Sequence, residues 1–287
     1  MKIFHDNDNK RIDCLDERFY TKDGETFYPS VTTVLQVYPK GYGFEKWLKE
    51  NGDDADDILR EAGEQGSKVH DAIDRIIKGE EVKWTTQLID TYQLRTVESH
   101  LQFIEDKNNG QLSKYIKEIE HFSLLEWQMI LRFIDFCKQC DPDFEANELN
   151  LIIESMRLGG TIDIVCIIRG ERWLIDTKTS NAIHKSHELQ VATYATMWNE
   201  KYPDDKIDRV GILWLKAATR GEDKTGKKFQ GAGWQLKEFE KSYEENYKLF
   251  EHTRAIWDEE NPNYKPKNLI YPDRVKLDVS KTLRQFV

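Results

Sequence analysis

The chain has no hydrophobic run long enough to cross a bilayer: nowhere in its 287 residues do apolar side chains approach the ~20 in succession that a spanning helix needs. It has no apolar segment near its start either. MKIFHDNDNK carries acidic residues and no hydrophobic stretch, so neither a secretory signal nor a transit peptide is expected, and the chain reads as cytosolic, with no membrane partner. Cysteine is scarce. Cys14, Cys137, Cys140 and Cys166 are too few and too scattered for a disulfide scaffold. Cys137 and Cys140 form a CxxC, but no second Cys or His pair follows at zinc-site spacing, so two reduced helix cysteines are the plainer reading. Excess positive charge is also missing. A formal net charge of -10 argues against a protein that coats nucleic acid nonspecifically, although a local basic channel remains compatible with it. Nothing resembles a phosphate-cradling Walker A loop, so ATP-driven motor activity is not expected.

What is present is a globular composition, with 39% apolar and 33% charged residues and no internal repeat, low-complexity tract or Pro/Gly/Ser-rich linker to divide it. The whole of 1–287 is therefore read as one domain, in which 1–122 precede a core over 123–260 and an extended tail over 261–287. Residues 1–35 read as short strands, with Asp23-Gly24 as a hairpin turn. From about 43 to 140, including 85–120, the pattern is mostly helical. Ser123 and Glu126 form a capping box that opens a helix carrying Trp127, Ile130, Leu131, Ile134 and Phe136. Residues 148–178 then turn rich in Ile, Val and Leu and read as consecutive strands. A helix over about 185–201, ended by Tyr202-Pro203, precedes a strand over 210–216, a second strand near Trp234 and a helix over about 237–258. Strands with a helix inserted between them predict an α/β (α+β) fold.

The segment GGTIDIVCIIRGERWLIDTKTS, residues 159–180, carries the chemistry. Two apolar runs flank Arg169-Gly170-Glu171-Arg172, and a two-residue turn at Gly170-Glu171 places Asp163 opposite Lys178. Alternation puts Asp176 on the face of Lys178, so three ionisable groups converge on one face among Ile162, Ile164, Trp173 and Ile175. Buried charges of this kind need each other or a metal. A salt bridge and a metal site remain alternatives on these residues alone. The surplus carboxylate favours a divalent cation, and oxygen ligands suit Mg²⁺ or Mn²⁺ better than zinc.

Four motifs in order widen the reading: Gly66-Ser67-Lys68-Val69-His70, Gly160-Thr161-Ile162-Asp163, Asp176-Thr177-Lys178 and Gln190-Val191-Ala192-Thr193-Tyr194. Together with the opening run Pro29-Ser30-Val31-Thr32-Thr33-Val34-Leu35, they resemble the RecB-like branch of the PD-(D/E)xK nucleases, which includes phage-type exonucleases and the mitochondrial genome maintenance exonuclease. The resemblance covers about 28–80 and 120–235. It implies a restriction-endonuclease-like core, a central mixed sheet flanked by helices, with an N-terminal helical elaboration.

The resemblance also implies roles. Taken alone, His70 on its apolar helix face is an ordinary interior histidine; by resemblance it ligates metal together with Asp163, Asp176 and the backbone carbonyl of Thr177. Lys178 would orient the attacking water. Gln190 and Tyr194, neighbours on one helix face, would support the site and, with Ser67 and Thr179, contact the nucleic-acid backbone. Glu148 stands at the interval where the family often has a further glutamate, whereas Glu154 reads as a solvated or ion-paired strand residue. Lys216, Arg220, Lys224, Lys227 and Lys228 surround an expected hairpin between Trp214 and Trp234, which suits single-stranded DNA and equally a lysine-guarded edge hairpin. Some relatives hold an iron–sulfur cluster through cysteines near the C-terminus; no cysteine lies beyond Cys166, so that cluster is not expected. The implied activity is a metal-dependent DNA exonuclease acting on single-stranded ends in replication, recombination or repair, where other recombination or replication proteins are conceivable partners. A non-catalytic DNA-binding protein on the same fold and an RNA-directed nuclease are the alternatives.

Overall fold

The computed structural model describes residues 2–6, 9–14, 17–89, 96–111, 116–120, 122–222 and 224–266. Its N-terminal part is an antiparallel sheet in the order β1 (Lys2–Asp6), β2 (Asn9–Cys14), β3 (Glu17–Thr21), β4 (Tyr28–Pro29). In the turn before β4, Asp23 accepts the backbone N–H groups of Glu25 and Thr26, which holds its carboxyl well below the ordinary range, and Gly24 takes φ 81°. Ser30 caps the short helix α1 (Val31–Val34) by accepting the Thr33 N–H at 2.8 Å. Helices α2 (Tyr42–Asn51) and α3 (Ala55–Ile77) follow.

Residues 85–120 depart from the helical expectation. β5 (Thr85–Ile89) pairs antiparallel with β6 (Ile116–Glu120), and among the described residues between them the helical ones form α4 (Val97–Asn108). Thr85, Thr86, Ile89, Ile116 and Ile119 are β-branched and suit a pleated pair, while Thr96 and Ser99 cap α4 reciprocally.

Helix α5 (Leu124–Cys140) opens with the expected Ser123–Glu126 capping box. The main sheet comprises β7 (Asp143–Ile153), β8 (Leu158–Ile168), β9 (Glu171–Lys178), β10 (Arg209–Trp214) and β13 (Gln235–Lys237), in the order β13-β10-β9-β8-β7. Strands β7 to β9 run antiparallel, whereas β10 lies parallel to β9 after the crossover helix α6 (Lys185–Lys201). A small hairpin, β11 (Arg220–Glu222) with β12 (Lys228–Gln230), projects before β13, and α7 (Tyr243–Glu260) closes the order. Residues 267–287, most of the expected tail, lie outside the described residues.

The sheet is covered on both faces, which is why its strands read as nearly continuous apolar runs. On one side Val165, Leu174 and Ile212 pack with Leu189 and Val191 of α6 and Phe250 and Trp257 of α7. On the other, Ile164, Cys166 and Ile175 pack with Val69 and Ile73 of α3 and Ile130 and Phe133 of α5. This layered mixed sheet is a restriction-endonuclease-like α/β fold.

The β8–β9 turn corrects the sequence register. Ile168 pairs with Glu171, so the two loop residues are Arg169 and Gly170. Both have positive φ, 52° and 84°, as a type I′ turn requires. The register moves by two residues, and Asp163 no longer faces Lys178; the ladder ends at Ile164–Ile175, one pair short of Asp163. A shift of two preserves side-chain parity, so the change of register alone moves none of the three charged groups to the other face.

Candidate active site

Where the β8–β9 ladder ends, Asp163 bonds across with its side chain: Oδ2 accepts the Thr177 N–H at 2.8 Å. The alternation of β8 also slips here. Ile162 packs on the α6–α7 side and Ile164 on the α3–α5 side, although two positions on a regular strand share a face. As a result the charged groups do not sit on one face, as the sequence suggested, but meet from two sides of the sheet. Asp163 approaches α3, with Oδ2 3.6 Å from Nδ1 of His70. Asp176 approaches α6, where Oδ1 accepts from Gln190 Nε2 at 2.9 Å.

His70, Asp163 and Glu148 form one group whose nitrogen and carboxylate oxygens lie within 4.8 Å of one another. Glu148 reaches it because β7 pairs Asn147 with Ile164 and Leu149 with Ile162, leaving Glu148 across from Asp163. Its backbone is left-handed at φ 48°. Gly66, one turn before His70, lets α3 lie against the end of β9: a Cβ there would stand 3.1 Å from Thr179 Oγ1.

The second group centres on Lys178. Its ammonium lies 2.7 Å from Asp176 Oδ2 and donates to Gln190 Oε1 at 3.2 Å. Gln190 thereby holds both charged partners, and its Nε2 also lies 3.5 Å from Tyr194 Oη. Asp176 Oδ2 is buried and, ammonium contact apart, has no aligned hydrogen bond.

Burial and charge set the titration of these groups. Burial pushes the Asp176 carboxyl up to about 6 despite Lys178, and nearby Asp163 adds to the rise. Asp163 is also raised by burial, against the pull of His70. Burial disfavours charge on His70 and Lys178, but the carboxylates win. Asp163 and Glu148 bring the imidazole up to about 9, and Asp176 and Asp163 raise the Lys178 ammonium. Burial likewise lifts the Tyr194 phenol well above its usual value. Three carboxylates around one imidazole and one ammonium leave an excess of negative charge in a low-dielectric place. Nitrogen and oxygen donors so grouped, beside a buried carboxylate oxygen that meets the Lys178 ammonium, fit a hard divalent cation.

Both groups line one cavity of about 370 Å³. Ser67, Thr179, Gln190 and Tyr194 line it as well. Lys216 does not: it donates to Asn181 Oδ1 at 3.1 Å and stays outside. Arg220 begins β11, but its side chain, like that of Lys228, lies outside the described residues. Glu154 is ion-paired with Lys22 at 2.6 Å, as expected, but it stands in the turn after β7 rather than on a strand. Cys137, Cys140 and Cys166 are unpaired thiols, with Cys137 pushed up to about 12 by burial.

Arg11 and Arg18 also line the cavity, and sequence reasoning missed them. In the β2–β3 register Arg11 pairs with Tyr20 and Arg18 with Asp13, so alternation along this hairpin sets both arginines on the Tyr20 face. Tyr20 packs over Gly159, where a Cβ would come within 2.4 Å of its ring, and its hydroxyl bonds Thr161 Oγ1 at 2.8 Å. The face that carries Tyr20 onto the core thus brings the arginines to the cavity.

A family model described as the PD-(D/E)XK nuclease superfamily matches residues 44–266, more than three quarters of the chain. No curated protein matches it. Among the described residues no helix is long and apolar enough to cross a membrane.

Proposed function

Because this chain belongs to the PD-(D/E)XK nuclease superfamily, we propose that it is a Mg²⁺- or Mn²⁺-dependent DNA exonuclease, acting at single-stranded ends in replication, recombination or repair. The observation that supports this most is the meeting of four sequence-distant motifs, Gly66–His70, Gly160–Asp163, Asp176–Lys178 and Gln190–Tyr194, around one cavity. His70, Glu148 and Asp163 would hold the cation, with Asp176 Oδ2 and the Thr177 carbonyl as further ligands. A bound divalent cation supplies a water of lowered pKa and polarises the scissile phosphate.

The chain's own groups do the rest. Lys178, fixed between Asp176 and Gln190, orients the water and offsets charge gathering on the phosphate oxygens. Gln190 and Tyr194 hold this lysine–aspartate pair in place, and Ser67 and Thr179 offer hydroxyls to the nucleic-acid backbone. Arg11 and Arg18 add positive charge beside the acidic centre, so an acidic protein can still receive a polyanion locally.

The test is digestion of linear, circular and gapped DNA labelled at either end, with Mg²⁺, Mn²⁺ or EDTA. Release from linear labelled ends that needs the metal and spares circles is the expected result. Undiminished cleavage in EDTA, or DNA binding without cleavage under any metal, refutes the reading; preferential cleavage of RNA in the same panel moves the substrate class.

A further inference from the structure

We propose that Asp74 and Asn147 form a clasp between α3 and β7 that sets His70 and Glu148 at ligand distance; the inference rests on the metal-centre reading above. Asp74 follows His70 by four residues, so both project from one face of α3. Asn147 precedes Glu148 on β7. Asn147 Nδ2 donates to Asp74 Oδ1, and Glu148 Oε1 lies 3.8 Å from His70 Nδ1.

Two consecutive strand residues ordinarily point to opposite faces. Asn147 and Glu148 nevertheless both reach α3, because Glu148 adopts φ 48° and leaves the ladder between Asn147–Ile164 and Leu149–Ile162. A non-glycine residue in this backbone region persists only where its surroundings over-determine it. The clasp supplies that constraint from the helix side. Lys78 holds the other oxygen of Asp74 at 2.7 Å, so the carboxylate is engaged at both ends. Neither Asp74 nor Asn147 lines the cavity. Both are positioning residues, acting through the neighbours that do.

Mn²⁺ uptake by the full chain, followed by electron paramagnetic resonance of the free ion, tests this without reference to activity. Asp74→Ala and Asn147→Ala are expected to weaken Mn²⁺ binding by roughly 10-fold or more, as loss of partners that orient ligands does. Arg75→Ala removes a pair with Glu80 that does not touch the clasp, and should bind as wild type. The exchange D74N with N147D keeps an amide–carboxylate hydrogen bond with the partners reversed. It should recover affinity to within about threefold, since coupled pairs are not additive. Unfolding in EDTA reports whether each variant is folded, and should Asp74→Ala fail to fold, Asn147→Ala and the exchanged pair decide. Wild-type affinity in the single variants overturns the clasp alone, and so does weakened binding that the exchange does not restore. A wild-type protein that takes up no Mn²⁺ overturns the metal reading and the clasp with it.

Discussion

Gly160 lies directly under the ring of Tyr194: a Cβ at Gly160 would stand 2.5 Å from Cε1 of the tyrosine. One residue comes from the strand that carries Asp163, the other from the helix that carries Gln190, so the contact joins two motifs through the sheet. Gly160→Ala must displace a buried ring in a close-packed interior, at a cost of about 1–3 kcal/mol. Tyr194 and Gln190 share the site, so activity should fall further than stability explains. Gly170→Ala is the control. It meets nothing within 4 Å but sits at φ 84°, so roughly 1 kcal/mol is lost with turnover per folded molecule unchanged. Urea denaturation and rate measurements on both variants check the pair, and equal losses of activity would count against the contact.

Lys178→Met keeps the length of the side chain and removes its charge. Asp176 keeps Gln190 but loses the ammonium 2.7 Å away. Turnover with saturating metal should drop by at least ~10²-fold, the scale on which a preorganised charge acts on a transition state. Wild-type turnover in this variant removes Lys178 from the mechanism.

His70 ties metal uptake to pH. Its imidazole is raised from the ordinary 6.5 to about 9 by the carboxylates of Asp163 and Glu148, so the metal-free fold prefers the protonated ring. A group whose folded pKa lies above its unfolded one stabilises fully below the unfolded value, and that stabilisation is lost as pH rises through the folded value. In EDTA the melting difference between wild type and His70→Gln should therefore be largest near pH 6.5 and shrink towards pH 9. Metal ligation needs the neutral ring, so uptake at pH 7.5 should release a proton, about one per site. Calorimetry in two buffers of different ionisation heat measures it; no buffer dependence would show that His70 is not displaced from its proton.

Cys137 is pushed up to about 12 by burial within α5, so its thiolate is scarce at ordinary pH. Alkylation of Cys137 at pH 8 should be far slower in the folded protein than in urea. Rapid labelling of Cys137 in the folded state would contradict this packing.

Features set by near neighbours in the chain were legible. Ser123 and Glu126 announce a helix start because the two side chains satisfy each other's backbone donors, and α5 begins there. Tyr202-Pro203 stops α6 because a proline ring disfavours helical backbone before it. The strands over 148–178 showed themselves by apolar runs, although β7 begins earlier, at Asp143, in a polar stretch, and the four motifs showed themselves by resemblance to the family. Thr85–Ile89 and Ile116–Glu120 were less legible, since each strand is defined by a partner about 30 residues away rather than by its own periodicity.

By itself, then, the sequence determined which residue types stand at the ends of which elements, because caps, turns and alternation act over two to four positions. Tertiary structure alone decided how they meet. It chose the turn at Arg169-Gly170 over Gly170-Glu171, set Glu148 across from Asp163 on a left-handed backbone, and brought Arg11 and Arg18 to the cavity through Tyr20. The physical reason is one of range: a one- or two-residue choice of register or backbone hand costs little locally, and only packing against α3, α6 and the neighbouring strands makes one choice win.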